Sequence, residues 1–148
     1  MLEDINVLIN KLDWNTPIDS QKEAINKLLS IDNNDVGLLI QPMEQKYWDN
    51  SAKVLKKIGY PRNKLAIPGL LEWLQDLNWP GAQTAMETLQ KVEVFELLPY
   101  LETAIQKAVE ENDDMWIMAL KELAINRMSI KASDFKNGDL YKIVEQFE

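Results

Sequence analysis

Pro68-Gly-Leu-Leu-Glu-Trp-Leu-Gln-Asp-Leu-Asn-Trp-Pro-Gly-Ala-Gln-Thr-Ala-Met-Glu-Thr-Leu89 reads as two amphipathic helices folded back on each other. Leu70, Trp73, Leu74 and Leu77 recur at i, i+3, i+4 and i+7, the spacing that lays side chains along one stripe of an α-helix. Asn78-Trp79-Pro80-Gly81 then turns the chain, because proline removes a helical donor and glycine tolerates a reversed backbone. Ala82, Ala85, Met86 and Leu89 supply the apolar face of the return helix. One such pair cannot bury its own apolar face, so a stable protein needs copies stacked on it.

The unit recurs. Trp14, Trp48, Trp79 and Trp116 follow each other at intervals of 34, 31 and 37 residues, a period typical of stacked helix pairs. Leu12-Asp13-Trp14-Asn15 resembles Leu77-Asn78-Trp79-Pro80, and Leu98-Pro99-Tyr100-Leu101 echoes Ile67-Pro68-Gly69-Leu70. In the first pair, Leu2, Ile5, Leu8, Ile9 and Leu12 form an apolar stripe. Thr16-Pro17-Ile18-Asp19 reads as the start of the return helix with Thr16 as N-cap, and Ile18, Ala24, Ile25, Leu28 and Leu29 as its apolar positions. Ile31-Asp-Asn-Asn-Asp35 reads as a polar loop. Gly37 and Pro42 make the next helix short or irregular, whereas Trp48 to Ile58 is a regular one that ends at Gly59 and Pro61. The fourth pair comprises a helix to about Glu111 and, after Asn112-Asp113-Asp114, a helix burying Trp116, Ala119, Leu120, Leu123 and Ala124. Asp139 to Phe147 forms a short terminal helix. The expectation is an all-α protein: a HEAT-like α-solenoid of about four antiparallel helix pairs plus a short C-terminal capping helix, in one domain over residues 1–148.

Composition narrows the chemistry. The 148 residues contain neither cysteine nor histidine. That removes disulfides, thiol nucleophiles, Cys or His metal sites and the histidine-based acid, base and triad mechanisms. An oxygen-ligand site for magnesium or calcium stays open, although no Asp-rich calcium loop is present. The longest apolar stretches, such as Val36-Gly-Leu-Leu-Ile40, fall far short of the ~20 residues of a membrane span. The N-terminus opens with acids rather than a signal peptide, so a cytoplasmic protein is expected. Sixteen basic against 24 acidic residues give a net charge of −8, which disfavours general nucleic-acid binding and favours a basic protein partner.

The segment Ile67-Pro-Gly-Leu-Leu-Glu-Trp-Leu-Gln-Asp-Leu-Asn-Trp-Pro-Gly-Ala82, with Asn112-Asp-Asp-Met-Trp-Ile-Met-Ala-Leu120, resembles a family of small bacterial proteins classed as a domain of unknown function. The resemblance covers roughly residues 35 to 125, leaving the N-terminal pair and the last twenty residues outside. It implies a HEAT-like fold and a bacterial origin. It brings no activity, cofactor or catalytic residues.

Four groups of residues are candidates for function. The tryptophans would suit an aromatic ligand cage, but their regular placement favours wedges between layers, each indole N–H meeting a backbone carbonyl. Trp73, which shares a stripe with Leu70 and Leu74, reads as core as well. Glu110, Glu111, Asp113 and Asp114 form the densest acidic cluster and the candidate partner-binding surface. Capping accounts for Asp113 and Asp114, whereas Glu110 and Glu111 lie at a helix C-terminus, where the macrodipole disfavours them. Lys53, Lys56, Lys57, Arg62 and Lys64 form the alternative, basic patch, of the kind that grips phosphate or an acidic partner. The scattered carboxylates show no spacing that selects a catalytic pair. The sequence therefore points to a non-catalytic protein-interaction module, with no cofactor or metal. An acidic immunity-type protein covering a basic toxin is one form of it. A nucleic-acid-binding helical repeat and a carboxylate-based hydrolase are the alternatives.

Overall fold

The computed structural model describes residues 4–40 and 44–148; the expectations for Leu2 and Pro42 lie outside them. Every regular element among these residues is helical. Eight α-helices carry the fold: α1 (Ile5–Asn10), α2 (Ile18–Leu28), α3 (Trp48–Ile58), α4 (Ile67–Glu72), α5 (Ala82–Leu89), α6 (Val94–Glu110), α7 (Asp114–Lys121) and α8 (Gly138–Gln146).

Local chemistry sets most of the boundaries. Asp4 caps α1 by accepting the Asn6 N–H at 2.8 Å, and Leu8 and Leu12 bury the stripe that follows. Thr16 does not cap α2. The N-cap there is Pro17, with no side-chain bond, and the Thr16 carbonyl instead accepts from Gln21 Nε2. The polar stretch after Ile31 is not a loop: Asp32 accepts the Asn34 N–H at 2.8 Å and starts a 3₁₀-helix over Asn33–Leu39 that buries Val36 and Leu39. Gly59 ends α3, as expected, with φ 76° and ψ 161°. Pro68 occupies the first turn of α4, and a 3₁₀ turn over Trp73–Gln75 tightens its end. Its echo Pro99 does not begin a helix: α6 starts a turn earlier, at Val94, and carries Pro99 inside. Glu93, in extended geometry, is the N-cap from which α6 starts.

The α6–α7 junction is a Schellman turn. Asn112 takes the left-handed conformation (φ 54°), its N–H bonding Val109 O at 3.1 Å and that of Asp113 bonding Ala108 O at 2.9 Å. Asp113 then caps α7 through the Trp116 N–H at 3.1 Å. Beyond Lys121 the helix widens into a π-helical stretch over Glu122–Arg127.

Helix packing is only partly sequential. α1 lies on α2, α2 on α3 and α3 on α5, while α4 contacts α5 and α6, and α6 contacts α7. α8 rests on α6 and α7, burying Leu140 and Val144. One continuous apolar core runs through all of these elements.

The tryptophan series does not share one environment. Trp116 is 1% exposed, and its indole N–H donates to Leu71 O at 3.0 Å, as expected of a wedge. Trp73, outside the series, does the same: it is buried and donates to Pro80 O at 2.9 Å. Trp48 and Trp79 are only half-buried, packed on the core edge. Trp14 is 52% exposed, which overturns its placement in the core. The first pair seats its turn by polar bonds instead. Gln21 Nε2 donates to the Trp14 and Thr16 carbonyls, and buried Asn50 on α3 donates to Leu12 O at 2.8 Å and Gln21 Oε1 at 2.9 Å. Ile18, 60% exposed, also leaves the expected apolar face.

Candidate functional site

α7 has two unlike faces because its sequence has two. Trp116, Ile117, Leu120 and, past the helix end, Leu123 and Ala124 point into the core. Asp114, Met115, Met118 and Glu122 fall on the other side, and the two methionines are 58% and 43% exposed. This outer face is one wall of a groove of about 560 Å³. Leu77 and Asn78, in the turn before α5, and Gln83, in the first turn of α5, form part of its lining. Phe147 and Glu148 close it at the C-terminal side, where Lys121 holds the chain by donating to Phe147 O at 2.8 Å.

Unbranched, polarizable methionines adapt to varied apolar partners, and a solvent-facing pair of them is unusual for a residue with no polar group to hydrate. Asp114, Glu122 and Glu148 edge the groove with negative charge, and Arg127 is its one basic lining residue among the described residues. Arg127 is already engaged, its Nε donating to Glu122 Oε1 at 3.3 Å. Glu122 Oε2 accepts from Asn126 Nδ2 at 2.6 Å. That hydrogen bond first, then the guanidinium, holds the Glu122 carboxyl below the usual carboxylate range, so it remains charged into mildly acidic solution.

The expected acidic cluster divides in two. Asp114 lies in the groove. Asp113 is spent on the α7 cap, and Glu110 and Glu111 are exposed at the end of α6, where Glu110 accepts from Gln106 Nε2 at 3.1 Å. Met115 and Met118 were missed although their sequence signal exists, since they lie off the Trp116–Leu120–Leu123 stripe, whereas Leu77 carries no such signal because it reads as part of the apolar stripe before Trp79.

Within the basic patch only Arg62 is committed to the fold, while Lys53 and Lys56 form half-exposed surface ion pairs. Lys53 pairs with Asp49 at 3.3 Å, and Lys56 pairs with Glu87 on α5, which holds the Glu87 carboxyl below its usual range. Arg62 donates at 2.9 Å to Asn33 Oδ1, Leu29 O and Ile31 O, satisfying carbonyls at the end of α2. Lys57 and Lys64 are exposed. Among the described residues no three potential metal-ligating side chains come together, and no helix is long and apolar enough to cross a membrane.

The family model described as Domain of unknown function (DUF5071) matches residues 43–147, and the chain belongs to that family. The match runs through α8, correcting the expectation that the last twenty residues lie outside the family, and leaves α1 and α2 beyond it. Every residue lining the α7 groove except Glu148 falls within the matched span. No curated protein and no solved structure gives a match to this chain.

Proposed function

We infer that this family member is a non-catalytic protein-interaction module whose α7 groove receives a basic segment of a protein partner that carries apolar side chains. The observation that carries this reading is the pair of exposed methionines set among Asp114, Glu122 and Glu148. Methionine faces accept apolar anchors of differing shape, and the acids select a cationic segment and speed its approach. The net charge of −8 extends that attraction beyond the groove. One finding weighs against catalysis. The carboxyls whose acidity is displaced, Asp13, Glu87 and Glu122, are all held below the usual range. A general acid working near neutrality needs the opposite shift.

The finer architecture belongs to the same proposal. α2, α3 and α5 pack in succession while α4 packs on α6, an order that suits a short HEAT-like solenoid closed by α8. An immunity-type protein that covers a basic toxin in the cytoplasm is the narrower form of this function.

Affinity capture from the source lysate with the wild-type chain and a Met115→Glu/Met118→Glu variant tests it. The expected result is one stoichiometric basic protein, retained at low salt, released at high salt and absent from the variant. Equal retention by the variant, or no partner on folded bait, would overturn the reading.

A further inference from the structure

A second recess, built from different residues, has a chemistry of its own. Trp48 stands edge-on to two other indoles, with ring centroids 6.0 Å from Trp73 and 5.4 Å from Trp79 and interplanar angles of 75° and 71°. The three rings line a recess of about 300 Å³, at the lower end of the ~300–1,000 Å³ of small-ligand sites. Its shape is fixed by close approaches. A Cβ at Gly69 would lie 2.2 Å from Ile40 Cγ2, so only glycine lets Ile40 seat against α4. The Trp73 ring is anchored by its bond to Pro80 O, while Trp48 and Trp79 are only half-buried.

Glu72, exposed at the rim, is the one charged residue among the described lining residues, and none of them is basic. That set disfavours an anion. A purely apolar ligand would gain nothing from the rim carboxylate, and a bare ammonium would give up strong hydration for walls that offer few acceptors. A cation whose charge is spread over methyl groups loses little hydration and gains from indole faces. Lys107 Nζ reaches Glu72 Oε1 at 3.4 Å, but both side chains are about half exposed, and solvent screens such a pair enough for a ligand cation to compete.

We propose that the recess lined by Trp48, Trp73 and Trp79, with Glu72 at its rim, binds a methylated ammonium group. Two sources present that group, a free quaternary amine and a methylated lysine side chain. The test titrates the full chain, following tryptophan fluorescence and heat, with choline, with its neutral tert-butyl isostere, and with a trimethyllysine peptide beside its unmodified counterpart. Saturable binding of choline or of the methylated peptide is expected, with the neutral or unmodified analogue about tenfold weaker. Choline alone identifies a free amine as the source, and the peptide alone identifies a protein. Glu72→Gln is expected to weaken binding several-fold at an unchanged melting temperature, and Trp79→Leu to abolish it while circular dichroism stays helical. No saturation by either cation, equal affinity for the isostere, or unchanged affinity in Glu72→Gln would overturn the proposal.

Discussion

Trp116 joins two elements at one residue: its ring fills the space under α7, and its N–H satisfies a carbonyl of α4. Trp116→Ala should therefore cost about 3–5 kcal/mol, the range for emptying a large core site. Trp14→Ala should cost less than about 1 kcal/mol, since about half of that residue is already solvated. Urea denaturation of the two variants checks this, and similar losses would mean that the tryptophan series plays one role after all. Tyr60 supplies a second test at the same scale. Its hydroxyl donates to Glu96 Oε1, and that bond, with some burial, pushes the phenol up to about 12 from an ordinary 10.0. A raised folded-state value means that the stabilisation is fully present below pH 10.0 and is lost as pH climbs through about 12. A phenolate absorbance titration of the wild type minus Tyr60→Phe should show a midpoint near 12; a midpoint near 10.0 would remove the bond from the account.

Among the elements, α5 depends most on a single backbone position. Gly81, at φ 81°, precedes it, and a Cβ there would come within 2.8 Å of Trp48 O and of Trp73 Cζ2. Gly81→Ala should lose ~2–4 kcal/mol from the strained φ and the overpacking together. Gly138→Ala, where a Cβ meets nothing within 4 Å, should be neutral or slightly stabilising. Calorimetric melting of both variants decides, and equal melting temperatures would contradict the packing of α5 against α3. Element type was well marked in the sequence, because the α4, α5 and α7 stripes keep helical spacing, although α4 itself ends at Glu72, before Trp73, Leu74 and Leu77 of its expected stripe. Part of what escaped it is a local cap, and the rest is set by tertiary contact. Asp32 caps a 3₁₀-helix where polar composition suggested a loop, and Arg62 reads as a surface cation until α2 ends beside it. Asn50 and Gln21 seat the first turn with buried polar bonds that no hydrophobic period encodes. Of the candidate acids only Asp114 lines the groove, because the other three follow from how α6 ends and α7 begins.

At the scale of the molecule, the family match begins after the 3₁₀-helix and includes α3 to α8, so the α7 groove belongs to the part this chain shares with its relatives. The same surface should respond to salt. Added ions screen the acids at its edge while leaving methionine packing intact, so affinity should fall with ionic strength to a residual apolar level rather than to zero. The most direct measurement is amide chemical-shift mapping of the isotope-labelled full chain, titrated with the basic segment of its captured partner. The shifts should cluster on Leu77, Gln83, Asp114, Met115 and Met118. Shifts confined to α1 and α2, or to the lysines of α3, would place binding elsewhere and contradict the account.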